Sequence, residues 1–314
     1  MLLQGKFKSK HILRLALLVA ILIAIFLGIV SIVQSRIFVS GLFEPSQECL
    51  SQSDEYKKWS CFRSYFERIT NEVSANAAMA EAIKLKTQRI TSTCHLSAHF
   101  IGRANLEKHN FDVEKTFSTC VAGCSDGCFH GVMEGYISNE GDLSNLTSTI
   151  KNVCNSLGTD GRQQYRCIHG VGHGLLAHSY LSLQEAISGC AALGSDKNEA
   201  TICMGGLLME NMTQYIYLDH TEDHLRKILP EICAPVESIV PEHMNDCISN
   251  ITLGLMDYTG YDIERTEDLC EELQQQEYIQ NCKDFIPRTI LDELPSSIDL
   301  SNFFKNQHIE SLFH

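Results

Sequence analysis

Two short segments of the chain pair groups that bind metals and move protons. One reads Cys128-Phe129-His130-Gly131-Val132-Met133-Glu134-Gly135. The other reads Cys167-Ile168-His169-Gly170-Val171-Gly172-His173-Gly174. Both fit Cys-x-His-Gly-x-x-[Glu/His]-Gly. Positions i and i+4 share a helix face, so each segment sets two such side chains side by side. His130, Glu134, His169 and His173 are therefore candidate metal ligands. Glu134 could also serve as a general base that activates water. Imidazole and carboxylate donors suit zinc first, then iron or manganese.

Neighbouring segments extend the polar stripe. Upstream stands Cys94-His95-Leu96-Ser97-Ala98-His99, and downstream Cys203-Met204-Gly205-Gly206-Leu207-Leu208-Met209-Glu210. His95 and His99 sit one and five positions after their cysteine rather than two and six, which implies a rotated helix. His95, His99 and Glu210 are candidates for catalytic support or substrate orientation. Later segments, such as Cys247-Ile248-Ser249-Asn250 and Cys282-Lys283-Asp284-Phe285, carry no histidine. The chemistry thus concentrates in the middle of the chain. Glycines run beside it at 131, 135, 170 and 174. Glycine within a helix costs about 1 kcal/mol relative to alanine, and close approach of a neighbouring backbone is the expected compensation.

The elements that must hold this stripe follow from the cysteines. Cys154, Cys190, Cys233 and Cys270 recur at intervals of 36, 43 and 37, and Cys167, Cys203, Cys247 and Cys282 at 36, 44 and 35. Each early cysteine is followed by a late one after 12 to 14 positions, as Cys49 is by Cys61. A fixed period of this size marks a repeat array. Apolar residues seven or eight positions before each early cysteine (Val113 before Cys120, then Leu146, Leu183, Leu225 and Ile263) indicate helical periodicity. Each unit reads as helix A ending near its cysteine, a polar loop such as 155–164, and helix B starting near the second cysteine. A disulfide across this gap would staple the hairpin, worth about 3 kcal/mol in the chain-entropy model. The expected fold is all-α, an α-solenoid-like array of disulfide-stapled antiparallel helical hairpins over 49–294. A cap at 295–314 would cover the last hairpin.

With its cysteine pairs the chain resembles disulfide-bridged, cysteine-rich tetratricopeptide-like repeat proteins, a resemblance of architecture that covers about 49–294. Cys94, Cys120, Cys124 and Cys128 break the period, and four cysteines allow three pairings. Cys120-x7-Cys128 is similar to a spacing in such proteins, and the analogy implies Cys120–Cys128 with Cys94–Cys124. The resemblance carries over no functional residues.

The N-terminal segment sets the compartment. Residues 1–14 form a basic flank with Lys6, Lys8, Lys10 and Arg14, and Leu15 to Val33 contains no charge. Such a run nears the ~20 residues that span a bilayer. It reads as a retained transmembrane signal anchor, with the N-terminus cytoplasmic and 34–48 as a tether. All 14 cysteines follow it, as an exported, oxidised domain requires. No Cys-x-x-Cys occurs, which argues against thiolate zinc and thioredoxin-type chemistry. Beyond Arg36 the net charge is near −19, which argues against nucleic acid as partner. The expected function is a membrane-anchored, extracytoplasmic, metal-dependent enzyme, a hydrolase first, acting on a small molecule or peptide. The alternative is a non-catalytic scaffold that binds a peptide or protein on its concave face.

Overall fold

The computed structural model describes residues 47–293 apart from 53–54, 89, 92, 141–145, 159, 178–181, 194–196 and 218–220. Among the described residues the chain is helical and has no strand. The helices, in chain order, are α1 (Gln47–Ser51), α2 (Glu55–Glu72), α3 (Ala75–Thr87), α4 (His95–Lys108), α5 (Val113–Thr119), α6 (Gly127–Glu140), α7 (Leu146–Ser156) and α8 (Gly161–Ala177). They continue with α9 (Leu183–Leu193), α10 (Lys197–Tyr217), α11 (Glu222–Ile232), α12 (Ala234–Ile239), α13 (Met244–Thr259), α14 (Ile263–Cys270) and α15 (Gln276–Glu293).

Local sequence starts the outer helices. Asp112, Thr221 and Asp262 cap α5, α11 and α14, each side chain accepting from a backbone N–H three residues on. Ser182 and Glu185 form a reciprocal capping box before α9: Ser182 N–H donates to the carboxylate at 2.7 Å, and Glu185 N–H to the Ser182 hydroxyl at 3.3 Å. Behind the caps, Val113, Phe117, Ile150, Ile187, Leu225 and Leu229 bury their side chains in one continuous core. The long helices α4, α6, α8, α10, α13 and α15 pack successively as an inner layer, and the shorter α5, α7, α9, α11 and α14 back them. The array curls enough to bring Lys86, at the end of α3, over the Tyr261 ring after α13, with 5.7 Å from Nζ to the ring centre.

Seven disulfides staple the array: Cys49–Cys61, Cys94–Cys124, Cys120–Cys128, Cys154–Cys167, Cys190–Cys203, Cys233–Cys247 and Cys270–Cys282. The periodic pairs and the pairing taken by analogy are both present. No cysteine is free among the described residues, which fits an oxidising compartment outside the cytoplasm.

Helix boundaries differ from the sequence reading. The α8 helix starts at Gly161, six positions before Cys167, and α10 at Lys197, six before Cys203. The polar stretch 160–164 reads as loop by composition. Yet Arg and Gln favour helix, and the Asp160 side chain accepts from the Arg162 N–H at 3.0 Å to open it. Residues 47 and 48, assigned to a tether, already belong to α1. The 15–33 anchor and the 295–314 cap lie outside the described residues. Among those described, no helix is long and apolar enough to cross a membrane.

Candidate metal centre

Backbone contact positions the site. A Cβ placed on Gly131 of α6 would overlap the His99 carbonyl of α4, and one on Gly102 of α4 would overlap the Cys128 carbonyl and stand 2.9 Å from Val132 N. The same reciprocal contact joins α8 to α10. There, a Cβ on Gly206 would overlap the His169 carbonyl, and one on Gly172 would overlap the Cys203 carbonyl. Gly170 instead faces mainly the Met133 side chain, and Gly174 the Ile137 side chain and the Met133 carbonyl at 3.0 Å. Four helices are thus drawn close enough for short side chains to meet across them.

What meets is a buried cluster of seven: His95 and His99 from α4, His130 and Glu134 from α6, His169 and His173 from α8, and Glu210 from α10. All seven candidates from the sequence converge. His95, His99, His130 and His173 each offer a ligand atom within 4.8 Å of the others, as do His99, Glu134, His173 and Glu210. His169 belongs to neither group. Its ring lies 4.8 Å from that of His130 and 5.3 Å from that of His173. The shifted offsets of His95 and His99 have a cause: Cys94 is stapled to Cys124 in the following loop and not to an outer-helix cysteine.

The partners fix which nitrogens carry protons. His95 Nδ1 lies 2.8 Å from the Cys124 carbonyl and must donate to it. The neutral ring then keeps a bare Nε2. His99 Nδ1 lies 2.5 Å from Glu134 Oε1, where a second lone pair would be repelled, so it carries hydrogen as well. His99 Nε2 stands 2.9 Å from His95 Nε2. With both rings neutral, two lone pairs face each other, and something electropositive must lie between them, a proton or a metal ion. His173 repeats the arrangement: Nδ1 donates to Glu210 at 3.1 Å, and its Nε2 is buried without a partner. His130 Nδ1 is buried and unpartnered too.

This donor set fits a metal. Two nitrogens each ~2.05 Å from one ion stand ~3.3 Å apart at the tetrahedral angle of zinc and ~2.9 Å apart at the right angle of an octahedral ion, and the separation here is 2.9 Å. Carboxylate and carbonyl acceptors on the far nitrogens are the supports that orient metal-binding histidines. The two groups of four share His99 and His173, and a neutral imidazole offers one lone pair. The groups are therefore alternatives, not two centres. Arg103 Nη1 lies 3.4 Å from Glu134 Oε2 and supplies the positive charge on the carboxylate side.

Burial and mutual repulsion favour the neutral form of four rings, His95, His130, His169 and His173. Burial, then the nearby His99, lowers His95 to about 3. Burial, with His99 adding and Asp126 opposing, lowers His169 to about 4. His130 and His173 are held well below the ordinary histidine value by burial and by the other rings. Burial alone would raise Glu134, but His99 and then Arg103 bring it down to about 2. The sign of the pH dependence follows. Histidines in the unfolded chain take up protons below 6.5, which the folded rings of His95 and His169 refuse until about 3 and about 4. Stability of the metal-free protein is therefore complete above 6.5 and falls as pH drops toward 4. Urea midpoints measured at pH 8, 6 and 5 should decrease in that order, and a rise on acidification would contradict the neutral cluster.

A strained loop aims the Cys124 carbonyl. Cys124, Ser125 and Asp126 all have left-handed φ, at 51°, 51° and 59°, costing roughly 1–2 kcal/mol per residue. Disulfides at Cys124 and Cys128 hold this turn. So does Arg166, which binds Asp126 through Nε at 3.0 Å and Nη2 at 2.9 Å while lying over the Phe129 ring. Sequence reasoning missed Arg103, the Cys124 carbonyl, and Gly102, Gly172 and Gly206. Arg103 was findable, since it follows His99 by four residues on the same helix face. The carbonyl leaves no sequence signal.

No known protein family, curated protein or solved structure matches the chain.

Proposed function

We propose that this chain is an extracytoplasmic, metal-dependent enzyme, a hydrolase, whose ion is held by His95, His99 and His173 through Nε2. The 2.9 Å approach of His95 Nε2 to His99 Nε2, which a cation between them would satisfy, carries this reading. The Cys124 carbonyl, Glu134 and Glu210 hold the three rings in the tautomer that leaves Nε2 bare. This assigns the carboxylates to positioning and brings His95 and His99 in as ligands. His130, stacked on His173 at 4.3 Å with Nδ1 unpartnered, would hold a proton beside the ion. Zinc bound there would supply Lewis acidity toward a carbonyl or phosphoryl group. His95 also lines a cavity of about 30 Å³ shared with Lys86, Thr213 and Asp257, room for a water molecule beside the cluster. In the scaffold reading the concave face of the array receives a peptide and no bond is cleaved.

The test is elemental analysis of full-length protein purified without chelator, alongside turnover of ester, amide and phosphoester substrates. One equivalent of metal, with hydrolysis abolished by chelator and restored by zinc, iron or manganese, is the expected result. Metal without turnover would leave the scaffold reading standing. No metal after loading with any of the three would remove the centre itself.

A further inference from the structure

A second site lies beside the cluster. Helices α8 and α10 on one side, and α13 and α15 on the other, line a groove of about 520 Å³, within the range of small-molecule sites. His169 forms part of its wall and is itself buried. Its Nδ1 is buried without a hydrogen-bond partner. A Cβ placed on Gly205 would stand 3.6 Å from both His169 Nδ1 and Cε1. That ring edge therefore faces Gly205, which lines the same groove.

Three of the other lining groups already donate to backbone carbonyls. The Ser249 hydroxyl and the Asn250 amide both donate to the Asp246 carbonyl, at 2.9 Å and 2.8 Å. The Thr289 hydroxyl donates to the Phe285 carbonyl at 3.1 Å. Each keeps an oxygen able to accept. Tyr165, stacked on His169 at 5.6 Å and 47% exposed, adds a flat apolar face, and Phe285 adds another. Arg288 is the cationic donor of the groove, its guanidinium over the Phe285 ring. A wall of acceptors suits a ligand rich in donors. Phosphates and carboxylates bring only acceptors and would meet lone pairs.

We propose that this groove binds a saccharide: its hydroxyls donate to His169 Nδ1, Asn250 and Ser249, and its C–H face lies on Tyr165. The ring oxygen of such a ligand suits Arg288. The proposal requires no metal and stands or falls apart from the metal centre.

Saturation-transfer NMR on metal-free full-length protein provides the test, with cellobiose and chitobiose as probes against their per-O-methylated forms. The unmodified sugars should bind, and methylation should weaken binding at least tenfold. Asn250→Leu and His169→Phe should weaken it similarly while circular dichroism shows the native helix content. Absence of binding by both sugars at tens of millimolar, equal binding of the methylated forms, or displacement of the sugars by inorganic phosphate would each overturn the proposal.

Discussion

Alanine at Gly206 or Gly131, as at their reciprocal partners Gly172 and Gly102, will cost more stability than other small substitutions in the inner layer. The added methyl would overlap the His169 carbonyl in one case and the His99 carbonyl in the other. A backbone oxygen cannot rotate away, so whole helices must separate. The expected loss is about 4 kcal/mol or more for each, a fall in melting temperature of roughly 10 °C or more for a domain of this size. Gly161→Ala is the control, since nothing lies within 4 Å of its added Cβ. Gly135→Ala should fall between them, because it meets the Leu106 side chain at 3.1 Å, which can turn. Thermal melts followed by circular dichroism measure all four. If Gly206→Ala melts within 2 °C of the parent protein, the helices do not approach as described.

Metal affinity should separate the roles within the cluster. His173→Ala removes a ligand and should abolish zinc retention on dialysis. Glu210→Gln leaves the ligand but weakens the acceptor that fixes its tautomer, and a 10- to 100-fold loss of affinity is expected. His109→Ala, at a half-buried ring on the α4–α5 turn outside the cluster, should change nothing. Competition titration against a zinc chelator measures all three. Affinity unchanged in His173→Ala would place any bound metal elsewhere. Equal losses in Glu210→Gln and His173→Ala would make the carboxylate a ligand itself.

Much of this was legible in the chain. The period of the cysteines reported the hairpins because a staple between helix ends constrains sequence spacing directly. The His-x3-His and His-x3-Glu pairs reported the cluster because helical geometry sets i and i+4 together. The assignment of roles was not legible. Whether Glu134 touches an ion or His99 depends on helix rotation to within one residue, and the Cys94–Cys124 bond changes that rotation for α4. The glycines with the closest contacts were half seen. Gly131 stood in a repeated motif, whereas Gly102 and Gly206 act through a neighbour that only the packing of the array reveals. The acceptor of His95 is a backbone carbonyl, which every residue possesses.

The Cys94–Cys124 bond has one more consequence, for the order in which the protein matures. Cys94 immediately precedes His95, and Cys124 supplies the carbonyl that orients the same ring. A single covalent bond thus holds both ends of one ligand's geometry. While its thiols are still reduced, the nascent chain has neither the position nor the tautomer of His95. In the proposed metal-binding role it would compete poorly for the ions of the compartment in which it is made. The centre would close only once oxidation has joined the two cysteines, and loading would be timed to the compartment where disulfides form.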